Sequence, residues 1–245
     1  MRDFITCLEF LTRVRFSKRT DWRDEDFSRS VPYFPLVGLV IGSLLAAVNY
    51  GLFYIETPLF LRVTLLLLAE IIITGGLMYD GFMDTADGVF SARSRERMLE
   101  IMKDSHVGSN AVLAIIILLL LKIAAYLELN AETLTWVLLT MSVATRTFMV
   151  VFIVNFPYAR KEGIGHMFTK YAKPFYTYIA FAVCAGIIAA CGLQYLAVAG
   201  ICFAVTLIIA QYLKTQLGGL TGDTYGALTE CGNVIYLLTA VFLLR

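Results

Sequence analysis

After Val31 the apolar residues come in long, nearly unbroken blocks, without the three-to-four-residue rhythm of a helix that keeps one face wet. About 20 such residues in a helix are enough to cross the hydrocarbon core of a bilayer. Four blocks stand clear, at residues 35–55, 61–78, 111–127 and 134–156. Two more follow at 175–191 and 195–213. The last run, 234–244, is short and crosses only if its helix begins earlier, near Tyr225. The pattern predicts an all-α, polytopic integral membrane bundle of about seven transmembrane helices, with residues 1–245 forming one domain.

The opening stretch follows another rule. Over residues 1–16, Phe4, Ile5, Leu8 and Leu11, with Cys7 beside them, share one helical face, and Arg and Glu lie opposite. That is an amphipathic helix suited to the interface, and residues 1–31 read as a cytoplasmic interfacial segment. Trp22 and Phe27 are expected near the headgroups. A sharper reading takes Arg13 into a functional site. Charged residues interrupt every apolar stretch before Val31, which argues against a secretory signal.

Composition agrees with the pattern. Hydrophobic residues make up 59% of the chain and charged residues 16%, against about 25% charged in soluble domains. The net charge of +1 conceals an uneven distribution. Arg2, Arg13, Arg15, Lys18, Arg19, Arg23 and Arg29 precede the first span. Arg93, Arg95, Arg97 and Lys103 follow the second, and Arg160, Lys161, Lys170 and Lys173 follow the fourth. The short connections between carry no Lys or Arg. The positive-inside rule then places the N-terminus and the long loops in the cytoplasm, with the chain in the cytoplasmic (inner) membrane. Topology accounts for the basic loops, so they do not point to nucleic acid. The five cysteines form no CxxC pair and predict neither a disulfide framework nor a zinc site.

The chemistry concentrates where the second span ends. Asp80, Asp84 and Asp87 recur at i, i+4 and i+7, which puts three carboxylates on one helical face. Like charges so placed repel, and more strongly where the dielectric falls at a membrane boundary. Something positive must offset them, and carboxylate oxygens suit Mg2+ or Mn2+. Gly81 and Gly88 leave an adjoining face bare, open to a bulky ligand. Asp104 follows at the same level and offers a fourth carboxylate. The bland alternative is a solvated loop whose acids pair with Arg93, Arg95 and Arg97.

Lys122, Arg146 and Glu70 lie inside apolar runs, where charge is costly. Either the two cations meet phosphate oxygens, or Glu70 pairs with one of them as a structural ion pair. The run Gly218-Gly219-Leu220-Thr221-Gly222-Asp223-Thr224-Tyr225-Gly226 is either a turn that admits a phosphate to backbone N–H groups, with Gly222 and Asp223 within it, or a simple helix break. His106 and His166 are more readily explained as solvated loop residues than as catalytic ones.

These residues resemble the cobalamin synthase family, the adenosylcobinamide-GDP ribazoletransferases, nearly end to end. The resemblance is carried by Phe10-Leu11-Thr12-Arg13, by Tyr33-Phe34-Pro35 with the stretch to Gly42, and by Thr74-Gly75-Gly76. It continues through Asp80-Gly81, Asp84 and Asp87-Gly88, then Arg95, Met102-Lys103-Asp104-Ser105 and Gly108. Tyr158-Ala159-Arg160 and Gly218-Gly219 to Gly226-Ala227 complete it. It implies an enzyme that joins α-ribazole, or its 5′-phosphate, to adenosylcobinamide-GDP, releases GMP and requires Mg2+. Asp80, Asp84, Asp87 and Asp104 would then hold the metal, and Asp84 or Asp87 would take the hydroxyl proton. Lys103, Lys122, Arg146 and Arg160 would meet phosphate charge. Tyr79 departs from the family pattern, where His more often precedes the first Asp-Gly. The implied partners are the two small-molecule substrates and the lipid bilayer, with a homo-oligomer left open. Two other functions fit the acids: a phospholipid-making enzyme like the CDP-alcohol phosphotransferases, and a cation transporter. Transporters hold their carboxylates nearer the midplane, which sets the last reading behind the others.

Overall fold

The computed structural model describes residues 2–15 and 23–244. Lys18, Arg19 and Trp22, expected in the interfacial segment, lie outside the described residues. Among those described, the named elements are helical: α1 (Arg2–Leu11), α2 (Asp24–Ser30), α3 (Phe34–Tyr54), α4 (Leu59–Thr74), α5 (Leu77–Phe90), α6 (Arg95–Ile101), α7 (Ser109–Glu128), α8 (Ala131–Asn155), α9 (Ile164–Lys170), α10 (Phe175–Cys191), α11 (Gln194–Leu217) and α12 (Gly222–Leu244). A single 3-10 turn at Val31–Tyr33 leads into α3. The protein is an all-α, multi-pass membrane protein. Five helices are long and apolar enough to cross a bilayer, and up to seven crossings result if each of two bent pairs makes one.

The ends of these helices follow local chemistry. Pro35 sits in the first turn of α3, where its missing N–H costs nothing. Asn130 caps α8 by accepting the Thr133 amide at 2.8 Å. Thr221 and Thr224 cap α12 reciprocally, each hydroxyl accepting the other's backbone N–H, at 3.2 and 2.7 Å. That start at Gly222 gives the short final run the length it lacked, three residues before Tyr225.

The second predicted span is corrected. It runs unbroken to Met78 in the apolar pattern, yet α4 stops at Thr74 and α5 leaves at 93°. Gly75 and Gly76 both take left-handed backbone, at φ 68° and 71°, which side chains resist and glycine does not. The acids therefore sit on a separate helix. Only the glycine pair signals the break, because hydropathy alone does not register backbone dihedrals.

Helix α8 is the axis of the bundle, buried at Val137 and Leu138 and then without interruption over Thr140–Ile153. It crosses α3 so closely that a Cβ on Gly38 would strike the Ser142 carbonyl, and one on Gly42 would meet the Leu139 Cα at 2.7 Å. Small residues four apart allow such contact where no hydrophobic force drives helices together. Helix α1 is amphipathic as expected but shorter, and its buried residues are Thr6, Cys7, Leu8, Glu9 and Leu11. Phe27 is buried against Phe10 and Phe168, at ring distances of 6.0 and 5.2 Å. It therefore packs within the protein.

Replacing Gly42 with Leu forces α3 from α8 and should cost about 1–3 kcal/mol. The measurement is the unfolding temperature in detergent. An unchanged value would contradict the close crossing.

Candidate active site

Helix α5 packs along α12 because neither carries a side chain at the crossing. A Cβ on Gly81 would meet the Asp223 carbonyl at 2.7 Å, and one on Gly226 would meet the Met78 carbonyl at 3.0 Å. Gly81 therefore permits helix contact, and it also lines the space of about 240 Å³ beside Asp80. Gly88, expected to face a bulky ligand, instead leaves room for the Met102 side chain and, at 3.0 Å, the Met98 carbonyl on the α6 side.

That crossing joins acids from two helices. Burial and the fields of Asp223, Asp80 and Asp87 act against charge on Asp84, while Arg160 favours it. Asp223, expected only as part of a glycine turn, is thus a companion of the α5 carboxylates. Its Oδ2 lies 2.8 Å from Arg160 Nη2 at ion-pair distance. The Arg160 Nε is buried without a hydrogen-bond partner among the described residues. Arg160 therefore keeps a donor ready for an oxyanion beside the one paired with Asp223.

Asp87 is already partly engaged. Its oxygens accept the Gly108 amide at 2.6 Å and the Ala111 amide at 2.8 Å, so it holds the first turn of α7. Asp104 lines the same cleft as Asp80, Asp84, Asp87 and Lys103, a space of about 280 Å³. It is exposed, and the His106 backbone N–H and ring, both bonded to its Oδ1, hold its carboxyl below the usual range. Among the described residues no three acidic, histidine or cysteine side chains converge as a closed metal cage. An open set of hard oxygens with few cations beside it still fits Mg2+, which takes one or two carboxylates and leaves its other positions to phosphate and water.

Asp80 also lines two further spaces. One, about 540 Å³, lies at the α4–α5 bend between Arg13, Arg15, Thr12, Gly75 and Gly76. The Arg13 amide donates to the Ile73 carbonyl at 2.8 Å and its guanidinium covers Gly75. The N-terminal segment is therefore both an anchor and a wall of this space. The other, about 240 Å³, is largely apolar and reaches Arg160, Gly222 and Asp223. On its rim, burial raises the Tyr158 hydroxyl above its ordinary value.

Two expected phosphate cations are placed elsewhere. Lys122 gives its ammonium to Glu70 (2.8 Å), Glu230 (2.8 Å) and the Tyr79 hydroxyl (2.7 Å). All three of its N–H groups are used, so none is left for a phosphate. Arg146 is buried in α8, bonded to Thr145 at 3.2 Å and in the field of Glu230 and Glu70. The structural ion pair is the alternative realised here, with Glu230 as a member that no sequence pattern singled out. Arg95 packs on Gly218 and Arg97 pairs with Glu100 at 2.8 Å, so neither is held by the acids. Gly218 ends α11 at φ 71°, and Leu220 bonds Pro157 and Ala159 at 2.8 and 2.7 Å. The first glycines of that run serve a chain reversal, while Gly222 and Asp223 face the site.

The sequence matches the family model described as Cobalamin-5-phosphate synthase over residues 3–241. It is 36% identical to a Clostridium novyi (strain NT) protein named adenosylcobinamide-GDP ribazoletransferase, covering 97% of this chain and 96% of the relative. A Desulforamulus reducens protein of the same name is 41% identical, over 91% and 89%. One from Desulfitobacterium hafniense is 37% identical, over 100% and 98%. No solved structure matches.

Replacing Lys122 with Met strands two buried carboxylates and should cost about 3–5 kcal/mol. Adding Glu70→Gln and Glu230→Gln should recover part of it. Chemical unfolding in detergent measures both, and a single variant as stable as wild type would contradict the network.

Proposed function

The chain belongs to the cobalamin-5-phosphate synthase family and is an enzyme of cobalamin biosynthesis, and from that premise we propose that it joins α-ribazole or its 5′-phosphate to adenosylcobinamide-GDP and releases GMP. The observation that carries this reading is the meeting of Asp80, Asp84 and Asp87 on α5 with Asp223 and Arg160. Phosphoryl transfer calls for positioning and charge neutralisation more than for covalent help. A cluster of carboxylates beside an arginine with an unpaired buried donor supplies both.

In this reading the ribose hydroxyl attacks the cobinamide-linked phosphorus and GMP leaves. Asp84 takes the hydroxyl proton, since both oxygens of Asp87 already hold α7. Arg160, ion-paired to Asp223 through Nη2, directs its buried Nε donor to a phosphate oxygen. Lys103, on the same cleft, adds positive charge on the solvent side. Asp80 and Asp84, with Asp223 beside them, would hold Mg2+, which would neutralise pyrophosphate charge and stabilise the departing phosphate. We assign the enzyme to the inner membrane with this site facing the cytoplasm, supported by the basic residues of the connections at this end.

Purified protein given adenosylcobinamide-GDP, α-ribazole phosphate and Mg2+ should release GMP, and chelation should stop it. Asp84→Asn should reduce turnover by about 10²-fold or more while the protein still inserts in the membrane. No GMP from the wild type, or wild-type turnover by the variant, would overturn the reading.

A further inference from the structure

The largely apolar space beside Asp80 has no part in the chemistry above. It measures about 240 Å³ and is lined by Phe10, Phe34, Phe168, Met149, Ile153 and Tyr225, with Asp80, Arg160 and Asp223 on its polar side. Phe168 anchors the aromatic wall, with ring centroids 4.9 Å from Phe10 and 5.5 Å from Phe34. Tyr225 is 4% exposed, and its hydroxyl is buried with no hydrogen-bond partner among the described residues. A buried hydroxyl left unpaired is costly, so its retention points to a partner that arrives with a ligand.

We propose that this cavity binds the fused bicyclic aromatic base of the nucleoside substrate, with the Tyr225 hydroxyl donating to the ring nitrogen that does not carry the ribose. The assignment rests on the proposed reaction and says which substrate enters where. A corrin macrocycle is far too large for the space. Guanine fits by size, but its amide and amino edge would have to take the Asp80 and Asp223 carboxylates, which the proposed reaction commits to the metal and to Arg160, and the rest of the lining is apolar. The benzimidazole of α-ribazole has an apolar body and one free acceptor nitrogen, which matches an apolar lining with one unspent donor. A base seated there would leave its ribose at the Asp80–Asp223 side, where the attacking hydroxyl is needed.

The test compares wild type with Tyr225→Phe, an isosteric change that removes only the hydroxyl. α-Ribazole phosphate is set against an analogue whose base is indole, with carbon in place of the acceptor nitrogen. The variant should raise KM for α-ribazole phosphate about 10-fold, leave KM for the indole analogue unchanged, and leave KM for adenosylcobinamide-GDP unchanged. Quenching of benzimidazole fluorescence by the protein in lipid nanodiscs, without corrinoid, should weaken by the same factor. Equal losses with both bases, a shift confined to the corrinoid substrate, or no shift at all would overturn the assignment. Because the fluorescence arm needs no turnover, it separates failure of this subsite from failure of the proposed reaction. Quenching that survives in the variant, or is displaced by an alkyl detergent alone, would mark the cavity as a lipid site and also overturn it.

Discussion

Helices α5 and α12 meet where neither Gly81 nor Gly226 has a side chain, and the backbones approach until a single added carbon would strike a carbonyl. Everything charged in the site depends on that approach. Asp80, Asp84 and Asp87 come from one helix and Asp223 from the other, so a wider crossing would leave two separate acidic faces. The arrangement concentrates negative charge, and Arg160 alone among the named partners of Asp223 contributes a cation. The crossing therefore creates both a binding capacity and an electrostatic cost that the ligand removes.

A second charged cluster holds the helices of this crossing in register. Lys122 on α7 binds Glu70 on α4, Tyr79 on α5 and Glu230 on α12. Tyr79 directly precedes Asp80, and Glu230 stands two turns beyond Asp223, so one ammonium ties together both acid-bearing helices. Such a buried network adds little net stability, because desolvation consumes most of its attraction. What it supplies is a fixed geometry, since no member can move without leaving a buried charge unpaired.

Much of this was legible from residue order. Long apolar blocks marked the helices, and the i, i+4, i+7 spacing marked the acids as one face. The basic connections marked one end of the bundle, and the family resemblance is matched by the comparisons over nearly the whole chain. What escaped depends on contacts between distant segments. Gly75-Gly76 broke a span that hydropathy reads as continuous, since two left-handed residues leave no trace in an apolar average. Lys122 and Arg146 looked like substrate cations because sequence shows an intramembrane charge but not its partner. Gly81 and Gly88 looked like openings, yet Gly88 is filled from the α6 side and Gly81 packs on α12 at the edge of a cavity. Asp223 and the orphan Tyr225 hydroxyl gain meaning only once α12 lies against α5.

The claim that acids from two helices share one metal-bearing site is tested most directly by locating the ion. Crystals grown with Mn2+ and the nucleotide-linked substrate would show it by anomalous scattering. The account predicts a peak within about 2.5 Å of an Asp80 or Asp84 oxygen, on the side of α5 that faces Asp223. A peak bound only by residues away from the α5–α12 crossing, or no peak in crystals that contain the nucleotide, would contradict it.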